Sequence, residues 1–168
     1  LTVNKLTFVI GTGASLLVSN PGLVIYADMA RWEIQLRMRR KEVANVGLSN
    51  FTDSFETQYK RGFFLDWRLC DNLKKQLLHR CHYILDTNNW NEPKLITYNM
   101  LNAGLTQTVQ QPFSVVPFFD PGPWGGQWMK EKFNLDKSTS NFAWCFNCVP
   151  EENSLLLDFN GVKFETPS

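Results

Sequence analysis

Excess charge of either sign is missing from this 168-residue chain: 17 Lys/Arg stand against 16 Asp/Glu, a formal net charge of +1. Dedicated nucleic-acid binders usually carry a large basic excess, so no nucleic-acid partner is expected. No apolar run approaches the roughly 18–20 residues needed to span a bilayer, so no membrane partner is expected either. The start, Leu1-Thr-Val-Asn-Lys5, lacks an initiator Met and the charged-then-apolar layout of a signal peptide. The end breaks off just after what reads as a strand, and both ends read as cut, so the chain is expected to belong to a longer polypeptide. Histidine is scarce, with only His79 and His82, and of the 4 cysteines only Cys145 and Cys148 form a Cys-x-x-Cys pair. A structural zinc site needs a second such pair or a suitably spaced His pair, so no metal site is expected within the chain. The thiols read as free and buried in a reducing cytoplasm. What is present is apolar material, 43% of the residues with 14% aromatic, enough for a core and too much for disorder.

Charge and structural period divide the chain into two unlike parts. Residues 1–111 hold thirteen Lys/Arg and nine Asp/Glu, whereas residues 112–168 hold four and seven. The first part reads as alternating strands and helices. Leu6-Thr-Phe-Val-Ile10 and Leu23-Val-Ile-Tyr26 suit buried strands, separated by turns at Gly11-Thr-Gly13 and Asn20-Pro21-Gly22. Asp28 is the expected N-cap of a helix from about Met29 to Val46, which Gly47 is placed to end. Further helices are expected near Asp53–Tyr59 and Asp66–Arg80, the latter with Leu69, Leu73 and Leu77 on one stripe. Tyr83-Ile-Leu85 reads as a strand, and Thr97 as the cap of a helix to about Gln110 carrying Met100, Leu101, Leu105 and Val109 on its apolar side. The second part is β-prone: Phe113–Phe119, Phe142–Phe146 and Leu155–Phe159 read as strands, Gln127–Phe133 as a short helix. Asn160-Gly161 before Val162 is a hairpin signal. Too few strands are present to close a sandwich or barrel.

Gly11-Thr-Gly13-Ala-Ser15 follows an apolar run as a phosphate loop would, but the Gly-Lys-Ser/Thr end that reaches the phosphates and Mg²⁺ is absent, and a tight turn is the better account. The segment Tyr26–Glu42 is more informative. Arg37, Arg40 and Lys41 lie three or four residues apart and so could present guanidinium and ammonium groups to a phosphate from one helix face. The alternative is a solvated basic face with Glu33–Arg37 as an i,i+4 pair. Tyr59-Lys-Arg-Gly-Phe-Phe-Leu-Asp-Trp67 reads as a core-facing helix junction. Asn50-Phe-Thr52 is a formal glycosylation sequon and is discounted, because nothing else in the chain suggests secretion.

The arrangement of residues 5–85, a strand, an Asp-containing link and an Arg-rich helix, resembles the later half of small P-loop nucleoside and nucleotide kinases. The run Pro112-Phe-Ser-Val-Val-Pro-Phe-Phe-Asp-Pro-Gly-Pro-Trp-Gly-Gly-Gln-Trp-Met-Lys130, with Phe142-Ala-Trp144 beyond it, resembles the opening of class I mannose-6-phosphate isomerases of the cupin superfamily, with Trp124, Gly125, Gly126 and Trp144 as the family motif. The order of the whole chain is similar to isomerase-like proteins of Bacteroidetes-type bacteria, in which a kinase-like region precedes the cupin region. The resemblance implies an α/β fold: a partial P-loop-kinase-like α/β layer over residues 1–111, followed by the opening strands of a cupin-like domain over residues 112–168. It implies a segment of a cytoplasmic aldose–ketose isomerase acting on mannose 6-phosphate and fructose 6-phosphate.

The departures are equally definite. The family holds zinc with a Gln, two His and a Glu, and the second part of this chain contains no His. The usual Gly-Glu pair before the strand Trp is replaced by Asn141-Phe142-Ala143. No residue here is therefore nominated as catalytic or metal-binding. Zinc is expected in the full-length parent, sugar phosphate reaches the parent, and the partner of this segment is the remainder of its own polypeptide. Two alternatives stand beside this reading: a nucleotide-binding phosphotransferase-like module using Arg37, Arg40 and Lys41, and a non-catalytic docking segment.

Overall fold

The computed structural model describes residues 6–110, 115–116, 131–134 and 154–167. They form a mixed α/β structure with two small sheets. In the first sheet, β1 (Ile25–Asp28) pairs in parallel with β2 (Tyr83–Asp86), and β2 pairs antiparallel with β3 (Lys94–Thr97). Parallel neighbours require a long crossover, and here it carries α1 (Arg31–Arg39), α2 (Phe55–Arg61) and α3 (Trp67–Leu77). After β3 comes α4 (Tyr98–Thr108), whose N-cap Thr97 accepts from the Met100 N–H at 3.2 Å, as expected from the sequence. The second sheet places β4 (Val115–Val116) beside β5 (Ser154–Phe159) and β5 beside β6 (Val162–Pro167), all antiparallel.

The β5–β6 turn is the one the sequence signalled. Phe159 pairs with Val162, and Asn160 and Gly161 between them have φ of 55° and 91°. Two successive positive φ values match the right-handed strand twist, and Asn-Gly reaches them at least cost. The Asp158 carboxylate accepts from the Gly161 N–H at 2.6 Å and holds the turn.

One core joins the two sheets. Leu77, Cys81, Ile84, Ile96 and Leu101 from the first part pack with Leu157 and Phe164 from the hairpin. At Gly104, a Cβ would stand 3.1 Å from Phe159 and 3.2 Å from Leu157, so the missing side chain is what lets β5 approach α4.

Several local expectations give way to tertiary pairing. Leu6–Ile10 joins no described strand, and Leu6, Phe8 and Ile10 are exposed. Asp28 is the last residue of β1 rather than a helix cap; its carboxylate is taken by Lys74, and Ala30 occupies the N-cap position without a side-chain bond. Helix α1 ends at Arg39, well before Val46, because Lys41 turns to a φ of 62°. Gly47, at φ 72°, lies in a later turn. α2 starts after Ser54, whose hydroxyl accepts from the Thr57 N–H, and continues through a π-helical turn at Gly62–Asp66 into α3. The buried side of α3 carries Trp67 and Leu77, with Leu73 half-buried and Leu69 mostly exposed, because Asp71 and Lys74 share the inward face to meet charges across the sheet end. The short strand β3 was not anticipated. Of the expectations in the second part, the Phe142–Phe146 strand and the motif residues Trp124, Gly125, Gly126 and Trp144 lie outside the described residues.

Among the described residues no helix is long and apolar enough to cross a membrane.

Candidate functional site

The strongest concentration of polar chemistry lies where β1 and β2 end together. Both strands close on an aspartate, Ile25-Tyr-Ala-Asp28 and Tyr83-Ile-Leu-Asp86, and the parallel register sets Asp28 beside Asp86. The carboxyl ends of parallel strands are where open α/β sheets bind ligands. Both aspartates are buried, and a buried charge must be paired or richly hydrogen-bonded. Each one is. Asp28 Oδ2 accepts from Lys74 Nζ at 2.7 Å. Asp86 Oδ1 accepts from the Asn88 backbone N–H at 2.9 Å and its side-chain amide at 2.8 Å, while Oδ2 accepts from the Glu165 N–H at 3.0 Å.

These bonds and their neighbours tie α1, α3 and β6 to the sheet end. Asn88 Oδ1 accepts from the Ala30 N–H at 2.8 Å, fixing the start of α1. Thr87 donates its hydroxyl and its backbone N–H to the Asp28 carbonyl, at 2.7 and 3.0 Å. Lys74 also donates to the Pro167 carbonyl at 3.3 Å, so α3 and β6 share one ammonium. Arg31 pairs with Asp71 and stacks over Trp67, its Cζ 5.2 Å from the ring centroid. The hairpin strand β6 is thus bonded to this sheet end through the Glu165 N–H and the Pro167 carbonyl.

Burial also sets the acid–base character. It pushes the Cys70 and Cys81 thiols above their usual range, so both stay protonated at neutral pH and neither is an activated nucleophile. Tyr26 is driven far above the ordinary phenol range by burial, with Asp28 adding to it. For Glu165, burial raises the carboxyl pKa, the Ser154 hydrogen bond opposes the rise, and the Asp86 charge adds to it. An acid whose pKa is higher in the fold contributes full stability below its ordinary value of 4.5 and loses it as pH rises through the raised one. Glu165→Gln should therefore gain stability relative to the parent chain from weakly acid towards neutral pH. Urea midpoints measured across that range check this, and a constant difference at all pH values would contradict it.

The three residues singled out for phosphate contact are placed very differently. Arg37 is only 1% exposed. Its Nε donates to Glu33 at 2.7 Å and one terminal nitrogen donates to the carbonyls of Thr87 and Asn88 at 2.8 and 3.3 Å. The other terminal nitrogen, Nη1, has no partner among the described residues. The Glu33–Arg37 pair exists, but as a buried strut rather than a solvated one. Arg40 is exposed and forks onto Glu42 at 2.7 and 2.9 Å, reaching Glu33 at 3.1 Å. Those contacts hold the Glu42 carboxyl below its usual range. Lys41 lies past the helix end and donates to the Asp53 carbonyl. Helical spacing brings Arg37 and Arg40 to a common carboxylate, while the turn at Lys41 removes it from their face.

A second polar knot holds the loop between α1 and α2. Asp66 accepts from the Asn45 amide at 2.6 Å and the Val46 N–H at 3.2 Å, and the buried Gln58 donates to the carbonyls of Val43 and Asn50. The Asn50 amide is itself bonded to Asn45 and Asp53, so this side chain of the formal sequon is built into the fold. Tyr59, Phe63 and Trp67 stack along the α2–α3 junction, with Tyr59 edge-on to Trp67 at 5.6 Å. Phe64 and Leu65 of the same run face solvent, so only part of it looks inward.

Among the described residues no three His, Cys, Asp or Glu side chains converge as metal ligands would. Lys74, Asp86, Asn88 and Trp90 escaped the sequence reading. A usable signal existed for Asp86, since both parallel strands end in the same apolar-run-then-Asp pattern.

A family model described as a domain of unknown function (DUF8485) matches residues 2–110, which hold β1–β3, α1–α4 and every charged side chain of the sheet-end cluster except Glu165. The chain belongs to this family. The DUF8485 segment ends beside the composition break at Gln110–Pro112, and the β5–β6 hairpin packed against it lies outside the match. No curated protein and no solved structure matches the chain.

Proposed function

We propose that this chain carries the junction between a kinase-like and a cupin-like region of a cytoplasmic sugar-phosphate aldose–ketose isomerase of the mannose-6-phosphate type. In this reading the DUF8485 segment serves as scaffold. One structural observation carries the scaffold role: the charged groups at the sheet end are partnered within the protein, and β6 is bonded to two of them, Lys74 and Asp86. A site built to receive a phosphate would keep guanidinium forks unoccupied, whereas Arg40 is held by Glu33 and Glu42. The hairpin shares its core with the DUF8485 segment, which suits a junction in which both regions fold against each other. The isomerase assignment itself rests on the Phe113–Lys130 run and its position after an Arg-rich α/β region.

Isomerisation moves a proton between C1 and C2 of the sugar. Among the described residues no three His, Cys, Asp or Glu side chains converge as zinc ligands would, and in this reading the zinc and the proton-moving base come from the rest of the parent. The full-length parent is expected to interconvert mannose 6-phosphate and fructose 6-phosphate, and to lose that activity on treatment with a chelator. Activity that persists without metal, or absence of activity on any hexose phosphate, overturns the assignment.

A nucleotide-binding module is the second reading, favoured by the solvent exposure of the Arg40 guanidinium on the same helix face as Glu33. It requires a thermal shift with ATP, GTP or UTP that disappears in Arg40→Ala. The scaffold reading requires no such shift.

A further inference from the structure

Trp90 occupies the middle of the loop that leaves the carboxyl end of β2, and it is 71% exposed. Tryptophan is seldom so open, because it has the largest apolar surface of any side chain to bury. The ring is nevertheless held in place. One face rests on the Arg37 guanidinium, whose Cζ lies 4.4 Å from the ring centroid. Arg37 is itself immobilised by Glu33 and by the carbonyls of Thr87 and Asn88 in the same loop. The indole is therefore anchored from beneath, with its opposite face open to solvent. Asn89, Asn91 and Glu92 beside it are exposed as well, and Asn89 accepts from the Asn91 N–H at 3.0 Å, folding the loop tip next to the ring.

We propose that Trp90 is a stacking platform for the pyranose ring of a hexose, with Asn89, Asn91 and Glu92 as the polar rim that meets its hydroxyls. This rests on the sugar-phosphate reading above and adds a binding site to it. The C–H face of a pyranose carries partial positive charge and meets the electron-rich face of the indole, while amides and a carboxylate supply the donors and acceptors that hydroxyls need. A nucleobase would stack equally well, but its phosphates need open cations. Arg37 is buried, Arg40 is occupied by two carboxylates, and Glu92 adds negative charge at the rim. A protein-docking hot spot would sit within an apolar ring that excludes water, and the neighbours of Trp90 in the loop are polar.

The test is calorimetric titration of the full chain with methyl α-mannopyranoside, mannose 6-phosphate and ATP. Both sugars should bind saturably in the millimolar range. Trp90→Ala, with its fold checked by circular dichroism, should weaken them by at least about tenfold, and Trp90→Phe should retain most of the binding because the stacking face survives. Absence of saturable sugar binding, binding unchanged in Trp90→Ala, or Trp90-dependent binding of ATP alone overturns the site. The two readings fail separately. Trp90-dependent sugar binding in a parent without isomerase activity removes only the enzyme assignment; an active parent without such binding removes only this site.

Discussion

Phe164→Ala is expected to lower the unfolding free energy by about 3–5 kcal/mol, the usual range for emptying a fully buried phenylalanine site. Phe164 is 0% exposed and packs with Ile84, Ile96, Leu101 and Leu157, so the deletion opens a cavity where the hairpin meets the first sheet. The surroundings have little room to collapse. Gly104 already holds α4 against Phe159 and Leu157, and β6 is pinned at its far end by Asp86 and Lys74. Urea unfolding followed by circular dichroism measures the effect. If residues 154–167 were an independent unit resting loosely on the rest, the first sheet would unfold at an unchanged midpoint, and the shared core would be refuted.

Arg37→Ala is expected to cost about 2–3 kcal/mol, because it removes a fully buried guanidinium, leaves two carbonyls without their donor and leaves Glu33 with only the exposed Arg40. Glu33 would lose its closest cation, the carbonyls of Thr87 and Asn88 would lose their shared donor, and Trp90 its support. Arg37→Lys should recover only a small part, since an ammonium cannot span the carboxylate and two carbonyls that a planar fork reaches. Arg40→Ala is the contrast: it is exposed, its pairs with Glu33 and Glu42 are screened by solvent, and its unfolding midpoint should stay close to that of the parent. Equal effects at Arg37 and Arg40 in urea unfolding would show that the burial difference between them carries no energetic weight.

The contrast between these two arginines shows how much of the site was legible. Spacing within a helix is a local property, and it correctly put Arg37 and Arg40 next to Glu33. Whether such a helix face looks outward is not local. Here the loop after β2 brings the carbonyls of residues 87 and 88 and the Trp90 ring over Arg37, from 50 or more residues away in sequence. The same limit explains α3. Counting leucines favoured the stripe through Leu69, Leu73 and Leu77, but the inward residues are Trp67, Asp71, Lys74 and Leu77, because Arg31 of α1 takes Asp71 and Trp67 while Asp28 at the strand end takes Lys74. A stripe that mixes charge with apolar residues is invisible to any rule that ranks positions by hydrophobicity.

Asp28 is a further case. Alone, an aspartate before a helical segment is a good cap. With Lys74 within 2.7 Å and Asp86 in register beside it, the carboxylate does more as an ion-pair partner, and the helix begins two residues later without a side-chain cap. The strand expected at Leu6–Ile10 fails for a related reason: apolar, β-prone residues form a ladder only where another strand offers its edge, and no described strand does so.

By itself the sequence determined the elements whose signals are complete within a few residues: the Asn160-Gly161 hairpin, the Thr97 cap, the strand at Tyr83–Leu85 and the near-neutral charge balance. Backbone φ preference and short-range hydrogen bonding act over such distances and establish the turn and the cap without help; the strand at Tyr83–Leu85 was legible from its apolar run but forms because β1 and β3 offer their edges. Only the tertiary structure decided that Asp28 and Asp86 stand side by side, that Lys74 clamps α3 to β6, and that Arg37 is a buried strut beneath an exposed tryptophan. Those outcomes depend on which distant groups must share a desolvated space, and desolvation is a property of the assembled core.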